Sequence, residues 1–457
     1  MMAAAEVANH FDHTGNFDVA AQTAHAAVVA APGGGGARAV AAAAPPPVAV
    51  QCANLVAQIA YYSVTDPGRA EILRQEFAAG TCDPLWAECL AVYDAYQRTN
   101  TAQPYINFTS IDDFVIENCF PDNATVAVIG DWGTGMNAAL ILLQQIANNF
   151  EPDVLLHLGD IYYSGLPSEC KSHFTDLIDK VWPDGGPRKK PLVFTLDGNH
   201  DRYAGSNGGY YGLIKNLNKA AGKPQPNSYF AIRNNFWQFL AMDTGYYDAD
   251  PGATAASTAL TKLVDQEVPW HWDKINNCGA NVDKSVNPGG ARGTVLLSHH
   301  QLYSSSGIAK DANGAWMTVN PYLVNQFSGV FDQIDMWLWG HEHALCIFEP
   351  YLMGGKPLPK GRCVGASAVP MYLVQKPKVP AKLAPQPGVN GPPTVVPGTE
   401  LGDNGTVFNY CYAMMRLEGA KMTVDYYQVN STDAQPGNPP ALGKALYCES
   451  VVAGKKD

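Results

Sequence analysis

An α/β layered fold is what this sequence predicts, on three observations. From Thr125 onward, short apolar runs alternate with a helical pattern, the order expected when strands and helices stack in layers. Several of the runs are apolar throughout, as strands buried on both faces are. Polar, glycine-containing clusters follow the runs, and in open α/β sheets ligands bind beyond the carboxyl ends of strands.

Each element can be justified in order. Residues 1–50 are rich in Ala, Gly and Pro, including Gly33–Gly36 and Pro45–Pro47, a composition expected of a low-complexity, disordered start. From Cys52 to about Thr99 the pattern turns helical, as in Leu55-Val56-Ala57-Gln58-Ile59-Ala60, and residues 51–120 read as a small helical lead-in without a motif. Thr125–Ile129 is a continuous apolar run ending at Gly130, suited to a buried strand. Asn137–Phe150 reads as a helix with Leu140, Leu143 and Ile146 on one side. Val154–Leu158 and Pro191–Leu196 are further strands. Tyr229–Ile232 and Trp237–Met242 form a strand pair turning at Asn234-Asn235. Thr294–Leu297 and Asp335–Trp339 follow. Residues 353–403 are dense in Pro and Gly, as a long surface excursion would be. Val407–Leu417 and Met422–Val429 alternate like a closing hairpin. The expected catalytic domain is 121–450.

The bulk properties narrow the function. A chain of 457 residues with 46% hydrophobic and 16% charged residues is long enough for a large core. Its net charge of −12 offers no basic stripe for a phosphate backbone, so no nucleic-acid partner is expected. A small anionic substrate remains open, because a metal ion can supply local positive charge. No apolar run approaches the ~18 residues of a membrane span. The first residues, MMAAAEVANHFDHTGNFD, carry acids and no hydrophobic segment; a cytoplasmic location is the default expectation, with secretion open. The 10 cysteines lack zinc-finger spacing and read equally as thiols or disulfides.

Chemistry concentrates in five clusters at strand ends: Asp131-Trp132-Gly133, Gly159-Asp160, Gly198-Asn199-His200-Asp201, His299-His300 and Gly340-His341-Glu342-His343. Of 11 histidines in the chain, the five at 200, 299, 300, 341 and 343 fall here. Carboxylate, imidazole and amide oxygen together suit Fe, Zn or Mn, and there are donors for two ions with Asp160 able to bridge. A lone DxG or GD is a common turn. All five, in order and each after a strand, leave little room for a purely structural reading. Tyr162 and Tyr163 stand close behind Asp160, and the residues themselves do not say which is packing and which is functional.

The motifs DWG, GDIYY, GNHD, LLSHH and GHEH resemble the five signatures of calcineurin-like metallophosphoesterases, over roughly Thr125 to Leu373. Most branches have Asp-x-His in the first motif; here Gly133 stands in the place of that histidine, and Tyr163 is the fifth residue of GDxxY. This pattern is similar to the purple acid phosphatase branch. The resemblance implies a β-sandwich core flanked by helices and a pair of metals, Fe(III) plus Fe, Zn or Mn. It implies Asp131, Asp160, Tyr163 and His343 on one ion, and Asp160, Asn199, His299 and His341 on the other. His200 and His300 would stabilise the substrate phosphate or protonate the leaving group, Asp201 would orient an imidazole, and Tyr162 would pack. The implied activity is acid-phosphatase-like phosphomonoester hydrolysis by attack of a metal-bound hydroxide on phosphorus. The same site would serve a phosphodiesterase or a nucleotide or phospholipid hydrolase, and a non-catalytic binding module is the alternative from another class. Tyr203–Leu213 and Gln301–Trp316 are expected as mobile rims. The chain departs from the family at Leu296, where valine is usual, and residues 1–120 are expected to be low-complexity and then helical where plant-type members carry a β-sandwich.

Overall fold

The computed structural model describes residues 102–249, 260–353, 355–430 (except 372, 374–378, 387, 389–390 and 406) and 439–454. The low-complexity start and most of the helical lead-in, residues 1–101, lie outside the described residues. Residues 102–120 hold no helix. They run extended, make turns and add a short strand to a sheet.

Two sheets carry the architecture, their strands numbered along the chain. One contains β2 (Asn123–Ile129), β3 (Val154–His157), β4 (Leu192–Thr195), β15 (Tyr410–Glu418), β16 (Lys421–Val429) and β17 (Tyr447–Val452). Its order is β17-β16-β15-β2-β3-β4. The other contains β1 (Val115–Ile116), β5 (Phe230–Arg233), β6 (Trp237–Ala241), β7 (Gly293–Ser298), β10 (Met336–Trp339), β11 (Leu345–Ile347) and β14 (Gly361–Val364). Its order is β1-β5-β6-β7-β10-β14-β11. Two ribbons, β8 (Ala309–Lys310) with β9 (Trp316–Met317) and β12 (Leu352–Met353) with β13 (Lys356–Pro357), stand apart.

The apolar strands are explained by burial on both faces. Alternate residues of a strand point to opposite sides. Val126 and Val128 of β2 join Leu156, Phe194, Phe239, Val295, Leu297 and Leu338 in the layer between the sheets. Ala127 and Ile129 point the other way, onto Leu142, Leu143 and Ile146 of the helix Asn137–Asn149. On the far side, Leu240, Leu296, Trp337 and Trp339 pack with Trp270 and Phe327 of the helices Glu267–Asn276 and Pro321–Phe327. The result is a β-sandwich flanked by helices, as expected. Truncating a central residue such as Leu338 to Ala would cost about 2–5 kcal/mol.

The hairpin at Asn234-Asn235 forms with β5 antiparallel to β6, and the closing hairpin forms as β15 and β16. The Pro/Gly-rich stretch from 353 departs from the expected surface excursion. Within it, β14 is fully buried between β10 and β11, a short strand masked by its proline- and glycine-rich flanks. The strands that position the site run parallel: β2 with β3, β3 with β4, and β7 with β10. Among the described residues no helix is long and apolar enough to cross a membrane. The seven cysteines in this part are all free thiols.

Candidate metal centre

Because the strands are parallel in each half, their carboxyl ends lie side by side, and the five polar clusters meet there. Asp131, Asp160, His341 and His343 have φ of 54°, 75°, 63° and 26°. Such left-handed backbone costs a non-glycine residue about 1–3 kcal/mol and persists where the surroundings over-determine it. Here it turns donors inward. A glycine is required at 340, where a Cβ would stand 2.5 Å from Asp131 Oδ2. One at Gly198 would overlap Asp160 Oδ1.

The ligand atoms fall into two groups: Asp131, Asp160 and His343, and His299, His300 and His341. His343 Nε2 is 3.2 Å from Asp131 Oδ1. His299 Nε2 is 3.3 Å from Asp160 Oδ1, so one carboxylate touches both groups. Asn199 Oδ1 lies 3.0 Å and His341 Nδ1 3.3 Å from the same His299 nitrogen. Donors at ~2.1 Å from a shared ion stand about 3.0 Å apart in an octahedron and about 3.4 Å apart in a tetrahedron. The observed separations fall in that interval. The donor set fits a metal in each group.

Hydrogen bonds set the tautomers. A carbonyl only accepts, so His299 Nδ1–H donates to Leu158 O at 2.9 Å, which leaves Nε2 facing the Asp160 and Asn199 oxygens as the nitrogen that a metal would take in place of its proton. His200 Nδ1–H likewise donates to Tyr163 O at 2.8 Å, which leaves Nε2 4.0 Å from Asp160 Oδ2. His300 is engaged at both nitrogens, by Thr244 Oγ1 at 3.1 Å and Asp248 Oδ2 at 2.9 Å. Burial opposes ionisation of Asp160, yet the neighbouring His299 and His200 rings hold its carboxyl well below the usual range. Burial also works against a charged His299, but Asp160 outweighs it and pushes the ring up to about 9.

The phenol of Tyr162, expected to pack, reaches the first donor group. Tyr162 Oη donates to Asp131 Oδ1 at 3.0 Å and stands 2.9 Å from His343 Nε2. The Tyr163 carbonyl accepts from His200 and its N–H donates to Glu169 Oε1 at 2.6 Å. Burial, then Asp131 and Asp160, hold the Tyr162 phenol well above its ordinary pKa; a cation in the group would reverse that field. Asp201 orients backbone rather than an imidazole. Its carboxylate accepts the N–H groups of Asp160 at 3.0 Å and Gly198 at 2.9 Å. Burial and Asp160 push it up to about 7. The segments expected as rims are largely buried: Tyr203 accepts from Asn199 Nδ2 at 2.6 Å, and Tyr210, Leu302 and Tyr303 are core residues.

Sequence reasoning missed Glu169, whose carboxylate also accepts from Ser164 and Leu166 N–H at 3.0 and 2.9 Å. Pro167 followed by Glu169 was a readable helix-start signal. It missed Asp248, for which no local pattern exists.

The stretch 124–345 matches the family model of the calcineurin-like phosphoesterases. These residues form a calcineurin-like phosphoesterase domain. The phosphoesterase domain contains all five clusters. No curated protein matches the chain in sequence. Among solved structures, it is similar to the purple acid phosphatase PPD1 of yellow lupin, Lupinus luteus. Identity there is 14% over 73% of this chain and 55% of the lupin protein, with a TM-score of 0.40. This chain thus spans about half of that relative's length. PhoD is similar at 12% identity over 72% of this chain and 67% of PhoD, TM-score 0.40. GAP50, described as the anchor in the inner membrane complex of Plasmodium, is similar at 14% identity over 70% and 89% of the chains, TM-score 0.40.

Proposed function

We propose that the phosphoesterase domain hydrolyses phosphomonoesters with a pair of metal ions, Fe(III) with Fe, Zn or Mn. One observation carries the reading: Asp160 contacts donors of both groups, the placement needed for a bridging carboxylate. One ion would be held by Asp131, Asp160, His343 and a tyrosine, the other by Asp160, Asn199, His299 and His341. Bound there, such a pair polarises phosphoryl oxygens and activates water.

The protein's own groups do the rest. Leu158 O fixes His299 in the tautomer that offers Nε2. Asp201 ties the Asp160 and Asn199 loops together through two backbone N–H groups. His200, anchored by Tyr163 O, turns Nε2 toward Asp160, where the doubly protonated ring would donate to a phosphoryl oxygen or leaving group. His300 would have to release Asp248 to do the same. Its present contacts suit it to holding the His341 ring, 4.4 Å away between centroids.

Metal analysis with a panel of monoesters and diesters on the purified chain and on Asp160→Ala tests this. The expected result is two ions per chain, monoester hydrolysis, and loss of both in the variant. A parent that binds metal and hydrolyses nothing would make the domain a binding module. Preference for diesters would overturn the monoester assignment.

A further inference from the structure

We propose that Cys346 and Cys363 are a modification site: a thiol pair that a low-molecular-weight disulfide oxidises to a single bond, fastening β11 to β14 beneath the turn that carries His341 and His343. The pair lies outside both donor groups, so its chemistry does not depend on the proposed hydrolysis.

Strand register brings the two thiols together. β11 runs antiparallel to β14 with Cys346 directly opposite Cys363, so both side chains leave the same face of the sheet. Opposed residues of an antiparallel pair stand about 4.5–5.5 Å apart at Cα, inside the roughly 4.4–6.8 Å that a disulfide spans. The Cys363 thiol is already in hydrogen-bond contact with Cys346, and both pack in the layer that holds Tyr303, Trp339 and Phe348.

The thiols differ in access, which orders the chemistry. Cys346 is half-buried, whereas Cys363 is fully enclosed. Cys346, as thiolate, attacks one sulfur of the external disulfide and expels a first thiolate. Cys363 then attacks the Cys346 sulfur and expels the second. Two cysteines are oxidised, one external disulfide is reduced to two thiols, and the two cysteine protons end on them.

Position gives the bond its consequence. The turn lies between β10 and β11, and the carbonyls at its two ends, Gly340 O and Ala344 O, are 3.6 and 3.4 Å from Cys363 Sγ. β11 is three residues long and the last strand of its sheet. Its far side is met at Ile347, the end away from the turn, where Val396 N–H donates to Ile347 O at 2.7 Å. A bond at Cys346 would hold the end next to the histidines. Closing the segment from 346 to 363 also restricts the unfolded chain.

The test incubates the reduced full-length chain with oxidised glutathione in native buffer, denatures it in excess alkylating agent, and maps linked peptides by mass spectrometry. Thermal unfolding of the oxidised and reduced forms is followed by circular dichroism. The expected result is a peptide joining Cys346 to Cys363, with the midpoint of the oxidised parent raised by at least ~2 °C. Cys346→Ala should yield no such peptide and no rise, and the parent map decides even where that variant misfolds. Linkage of either cysteine to another partner overturns the proposal. So does arrest with glutathione on Cys346 and Cys363 alkylated. Formation of the bond with an unchanged or lower midpoint overturns the fastening role. A chain that forms the bond, gains the stability and hydrolyses nothing upholds this site while refuting the proposed function.

Discussion

Replacing Glu169 by alanine should loosen the loop that presents both Asp160 and the tyrosines. The carboxylate accepts three backbone N–H groups, from Tyr163, Ser164 and Leu166. Tyr163 and Ser164 are buried, whereas Leu166 is half-buried and can turn to water. Hydrogen bonds to a charged acceptor contribute about 1.5–3 kcal/mol each. Counting the two buried donors at the lower figure, and Leu166 at nothing, gives about 3 kcal/mol. Glu169→Gln keeps one acceptor oxygen and should lose about half as much. Urea unfolding of metal-stripped protein measures the difference without the stabilisation that bound ions would add. A loss below ~1 kcal/mol in the alanine variant would mean that water replaces the carboxylate, and the loop argument would fail with it.

Two other changes probe different parts of the molecule. Burial pushes His271 down to about 3, so below its ordinary pKa the unfolded chain takes up a proton that the folded chain refuses. Its stability contribution is complete above pH ~6.5 and is lost as pH falls toward 3, amounting to about 2 kcal/mol at pH 5. His271→Gln should therefore flatten the stability–pH curve between pH ~7.5 and ~5 by that amount, and parallel curves for parent and variant would refute the assignment. Gly340→Ala places a Cβ 2.5 Å from the Asp131 oxygen that accepts the His341 N–H. Metal affinity by equilibrium dialysis should fall on the order of 10–100-fold, and unchanged affinity would show that the turn yields freely.

The sequence determined much of this protein by local means. Strands buried on both faces must be apolar throughout, so β2, β3, β4, β7 and β10 were visible as runs, and the polar clusters behind them marked the strand ends. A hairpin such as β15–β16 is likewise local in sequence. Elements whose signal is weak or interrupted were not visible. Gly361-Arg362-Cys363-Val364 is too short to stand out from its proline-rich flanks, yet pairing with β10 and β11 makes it a buried strand. Val115-Ile116 became a strand by pairing in parallel with β5.

Within the site, residue types and their order were legible, and side-chain direction was not. His299 presents Nε2 because its other nitrogen is bound by Leu158 O, and His300, in the same donor group, is engaged at both nitrogens by Thr244 and Asp248. The tyrosine pair shows the same division. Two adjacent phenols carry equal chemistry, and motif spacing can rank them, but their directions follow from backbone torsions. Glu169 and His200 hold the backbone of Tyr163 through hydrogen bonds that exist only once the chain has folded.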